Sequence, residues 1–96
     1  LEKVSWYITK LSLSYGAFRE NPSKENFNRL KARIYEVKER LGVDGTTVLE
    51  LAEKLMRARD IRNITKLICD LNMAYKLLIK ELILKATFGE EKQDNQ

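Results

Sequence analysis

The chain has 96 residues, 44% of them apolar and 33% charged, with a formal net charge of +4. That describes one folded domain with a single modest core. Its longest unbroken apolar runs, such as Leu77–Ile79 and Leu82–Leu84, are three residues, too short for a membrane span or a signal-peptide core.

Four glycines, one proline and no sustained strand-like alternation make the chain all-α. The fold expected is a small antiparallel four-helix bundle over residues 1–88, followed by a disordered polar tail at 89–96. A single cysteine excludes an internal disulfide and points to a cytoplasmic setting. Asn63-Ile64-Thr65 matches a glycosylation sequon, but it opens a helix in a chain with no secretory signs.

The first helix is expected over about Glu2–Arg19. Val4, Tyr7, Ile8, Leu11, Tyr15 and Phe18 form its core stripe. Trp6 and Leu13 fall on the opposite side. Either Trp6 packs on a neighbouring helix or the pair anchors a partner, since aromatic side chains dominate interface energetics.

Pro22 ends this helix and forces Asn21 toward an extended backbone. Ser23 is placed to cap a second helix, Lys24 to Leu41, with Glu25 near its positive end. Phe27, Leu30, Ile34, Val37 and Leu41 keep a heptad rhythm suited to shallow packing. Arg29, Arg33, Glu36 and Arg40 lie on the outer face, and Gly42 is the expected stop.

After a loop at Gly42–Thr46, Thr47-Val48-Leu49-Glu50 reads as a capping box for a third helix. Val48, Leu51, Ala52, Leu55 and Ala58 face inward. Nothing in Met56–Asn63 breaks a helix, yet the apolar stripe changes phase there. A turn near Arg59-Asp60, with Asp60 as cap, resolves the mismatch. One continuous helix would instead make a three-helix arrangement.

The last helix is the longest and cleanest. Ile61, Ile64, Ile68, Leu71, Tyr75, Leu78 and Leu82 share one stripe. Met73, Leu77, Leu84 and Phe88 form a second stripe behind it. Further back on that outer side lie Arg59, Arg62 and Lys66, so the outer face is basic at its start and apolar at its end. The second stripe is covered either by another helix of the chain or by a partner.

Catalytic signatures are missing. Without histidine there is no His-based triad, no Glu-x-x-His metal motif and no common general base. One cysteine cannot build a thiolate metal site, and there is no glycine-rich phosphate loop. Carboxylate pairs such as Glu50/Glu53 have the look of surface charge. Cys69, at the edge of the core stripe, has no fixed cation beside it and reads as structural. No enzyme activity, cofactor, metal, small-molecule substrate or membrane partner is expected.

Leu49–Leu55 resembles the first helix of a helix-turn-helix. The rest of that pattern fails: no glycine lies near Met56, and Arg57 and Arg62 stand where apolar residues belong. The function expected is therefore a non-enzymatic interaction subunit. It docks on a larger protein or on a second copy through Trp6, Leu13, Met73, Leu77, Leu84 and Phe88. An accessory role in a nucleic-acid-processing complex fits the basic outer faces. The alternative is direct nucleic-acid binding through Arg59, Arg62 and Lys66, with Arg29, Arg33 and Arg40 on the second helix. High charge with only two glutamines, both in the tail, hints at a thermophilic source.

Overall fold

The computed structural model describes the backbone of residues 3–94 and the side chains of 3–88. It holds four helices and, among the described residues, no strand: α1 (Val4–Glu20), α2 (Lys24–Leu41), α3 (Thr46–Arg57) and α4 (Ile61–Asp94). α1 borders α2 and α4, and α3 borders the same two, so the contacts close a ring. α4 has 34 residues. At 1.5 Å per residue it is about 51 Å long, matching the 53 Å long dimension of the molecule. It is the spine on which α1 and α3 pack, while α2 closes the ring by bridging those two.

The helix ends follow local chemistry. The Ser23 side chain accepts a hydrogen bond from the Asn26 backbone N–H at 3.1 Å, which caps α2. Gly42 closes α2 with φ +71°, a left-handed backbone that glycine adopts without strain. The start of α3 departs from the expected capping box. Gly45 occupies the cap position and no side chain caps from Thr47. Asp44 does the work instead, accepting from the Thr46 hydroxyl and from its backbone N–H at 3.0 Å. Those two bonds hold the Asp44 carboxyl below the usual carboxylate range.

Gly45 is also fixed by packing. A Cβ there would stand 2.9 Å from Leu78 Cδ2 and 3.0 Å from Ile34 Cγ2. The loop therefore passes directly between α2 and α4. The α3–α4 turn falls where the stripe changes phase. α3 ends at Arg57, Ala58 is extended, and the Ile64 N–H bonds the Asp60 carbonyl at 2.9 Å.

The core is built from Val4, Tyr7, Leu11, Tyr15 and Phe18 of α1 and Phe27, Leu30, Ile34 and Val37 of α2. These are the stripes that periodicity marks, apart from the half-buried Ile8 and Leu41. α3 and α4 deviate. Leu49 is buried while Leu51 is only half-buried, because the buried arc of α3, which α2 and α4 flank, is turned toward Leu49. Leu67, absent from the expected stripe, is buried against α3. Ile61, expected in the core, is 72% exposed. Near its C-terminal end α1 meets α4 at Asn72, through Arg19. Ile61 lies eleven residues earlier, about 16 Å along the axis, beyond the end of α1. The expected tail at 89–96 falls where no side chain is described, and 95–96 lie wholly outside the described residues.

A polar cluster sets α1 against α4. The Tyr15 and Tyr75 rings stack with centroids 3.8 Å apart. The Tyr15 hydroxyl and the Arg19 guanidinium both donate to the Asn72 side-chain oxygen. Ser12 and Tyr75 share a 2.8 Å hydrogen bond. Burial pushes the Tyr15 hydroxyl above its usual pKa, against the opposing pull of Arg19.

Candidate interaction surfaces

The side chains that carry interaction chemistry lie outside the core, and the helix ring sorts them into three places. The first is the outer face of α4. Met73, Leu77, Leu84 and Phe88 are 65%, 61%, 45% and 58% exposed. They share a stripe rotated roughly 110° from Leu78 toward the α3 side. No helix covers it. α3 is only 12 residues long and begins at Thr46, level with Leu78. Leu84 and Phe88 therefore run past its end. Leu77 borders a cleft of about 160 Å³ whose walls include Thr47, Val48, Ala74 and Glu81.

The second place holds Trp6 and Leu13 on α1. Trp6 is partly occupied by its own chain. Its ring meets Tyr7 edge-on at 5.0 Å, Lys10 Nζ lies 5.6 Å from the centroid, and the Arg33 guanidinium of α2 lies 6.0 Å away. Leu13 is 66% exposed. Trp6 thus sits on the α2 side of α1, whereas Leu77 sits on the α3 side of α4. The six apolar candidates form two separate patches.

The third place is the α3–α4 corner, where Arg59, Arg62 and Lys66 are exposed. Lys54 and Arg57 join them from α3 and line, with Ala58, Asn63 and Leu67, a cleft of about 220 Å³. Reading one helix at a time misses these two, since only the turn brings α3 alongside α4. The α2 arginines lie on a helix that borders α3 and stands across the ring from α4. Arg29 pairs with Glu25 at 2.9 Å and Arg33 with Glu36 at 3.2 Å. Arg40, near the end of α2, is also engaged.

Among the described residues no three His, Cys, Asp or Glu side chains converge as a metal-binding group. No buried residue there is polar or charged by type. Cys69 is exposed. No described helix is long and apolar enough to cross a membrane. No protein-family model, curated protein or solved structure matches the chain.

Proposed function

We propose that this chain is a non-enzymatic interaction subunit, built as an antiparallel four-helix bundle that docks through the outer face of α4. The antiparallel reading rests on pairings that run in opposite directions along neighbouring helices. Trp6 lies near Arg33 while Phe18 meets Phe27 at 6.2 Å; Ser12 bonds Tyr75 while Tyr15 bonds Asn72.

The observation that carries the docking reading is the uncovered stripe Met73, Leu77, Leu84 and Phe88. Isolated exposed apolar residues are ordinary; four on one helical line spanning about 22 Å are an interface in waiting. Fully burying one such side chain contributes about 1.5–3 kcal/mol, so a partner that covers the line gains several kcal/mol before the costs of association. The spacing reads the same in both directions: four, seven, four. Two copies laid antiparallel set Leu77 against Leu84 and Met73 against Phe88, so a second copy is the simplest partner and the helical surface of a larger protein the next.

The test is sedimentation equilibrium from micromolar to near-millimolar protein, with circular dichroism alongside. Wild type should show concentration-dependent association. Leu77→Lys/Leu84→Lys should be monomeric with unchanged helicity. A double variant that unfolds would place the stripe in the core and end the proposal. A wild type that stays monomeric throughout would remove the second copy and leave only a different protein as partner.

A further inference from the structure

The charge of this protein is not spread evenly. Residues 54–66 hold five cations, Lys54, Arg57, Arg59, Arg62 and Lys66, against one acid, Asp60. The chain has 18 cations and 14 acids in all, so 13 of each remain elsewhere and cancel. Counting Glu53, which pairs with Arg57, the α3–α4 corner holds five cations against two acids, a net +3 of the chain's formal +4. All five cations are exposed. Glu53, just upstream, bonds Arg57 at 2.7 Å, with 48% and 79% of those side chains in solvent. Such an exposed pair is worth little and yields readily to a stronger anion.

The turn gives the cluster a shape. Lys54 and Arg57 stand on one wall of the 220 Å³ cleft and Asn63 on the other. Lys66 lies one helical turn beyond Asn63, and Arg62 and Arg59 continue around the tip. Three of the five are arginines, whose planar forks match phosphate oxygens. No Phe, Tyr or Trp lies between Tyr35 and Tyr75, so the segment offers no platform for stacking unpaired bases. Ile61 is the one large apolar side chain standing free at the tip, too little to insert into a bilayer.

We propose that the α3–α4 corner is a binding surface for the phosphate backbone of double-stranded nucleic acid, holding the duplex without reading its sequence. It lies apart from the apolar stripe, so one molecule can hold a duplex and a protein partner at once.

The experiment is an anisotropy titration with a labelled duplex of about 20 base pairs, in salt from about 25 to about 200 mM. Each phosphate neutralised adds about −0.9 to the slope of log K against log salt, so about four contacts give a slope near −3.6. Arg57→Gln/Arg62→Gln should halve that slope and weaken binding at low salt at least tenfold. Glutamine keeps helix propensity, and unchanged circular dichroism would confirm the fold. Lys3→Gln/Lys80→Gln removes the same charge far from the corner and should leave the slope in place. Equal weakening by both double variants would overturn the proposal in favour of diffuse charge. So would no binding at the lowest salt, or tighter binding to a single strand of equal length, to an acidic peptide or to vesicles rich in phosphatidylserine.

Discussion

The two faces of α4 carry similar residues to opposite ends. Leu71 and Leu82 on the inner face are fully buried, while Leu77 and Leu84 on the outer face stand about half in water. All four are leucines on one helix, and nothing in side-chain chemistry separates them. What separates them is whether another helix stands opposite. α1 and α3 flank the inner arc. Leu84 lies past the end of α3. Leu77, level with Thr47 and Val48 of α3, borders a cleft rather than a covering helix. A helix with two apolar stripes and neighbours for only one has a surface left over. That surplus is the observation on which the proposed docking rests.

Substitutions can break this contrast. The largest effect is expected for Leu71→Ala on the inner face. Removing a fully buried leucine from a close-packed core costs about 2–5 kcal/mol, which lowers Tm by roughly 10–25 °C in a domain of this size. Thermal unfolding followed by circular dichroism reads it directly. Gly45→Val should come next. The added side chain meets Leu78 and Ile34 at the closest point between loop and core, and overpacking of this kind costs about 1–3 kcal/mol in urea unfolding.

Tyr15→Phe probes the polar side of the α1–α4 contact. It removes the hydroxyl that bonds Asn72 and Arg19, at a cost of about 1 kcal/mol. It should also change the alkaline limit. Burial raises the folded-state pKa of Tyr15, so the unfolded chain ionises first, near pH 10. The stabilising contribution is complete below that pH and is lost as pH rises through the folded value. Wild type should lose stability above about pH 10, and Tyr15→Phe should lose less of it.

The smallest stability change is expected for Leu77→Lys on the outer face, within about 0.5 kcal/mol, although it should weaken self-association strongly. A large loss of stability there, similar to that of Leu71→Ala, would erase the distinction between the two faces.

The helix content, the α2 caps at Ser23 and Gly42 and the core stripes of α1 and α2 were all legible in the residue pattern. Each depends on contacts within a turn or two, or on one face being apolar and the other charged. The second stripe of α4 was visible for the same reason. Periodicity could not say whether that stripe was covered, because cover depends on where α3 lies along and around α4. Nor could it join Lys54 and Arg57 to Arg59, Arg62 and Lys66, because the turn at Ala58–Asp60 folds two separate helical patterns onto one corner. Ile61 kept the phase of the core and yet lies outside it, since phase fixes direction around a helix but not what stands opposite. Leu49, Leu67 and the close approach at Gly45 were settled the same way. Local order follows from spacing along the chain, whereas burial and the grouping of charges follow from the lengths and placement of helices distant in sequence.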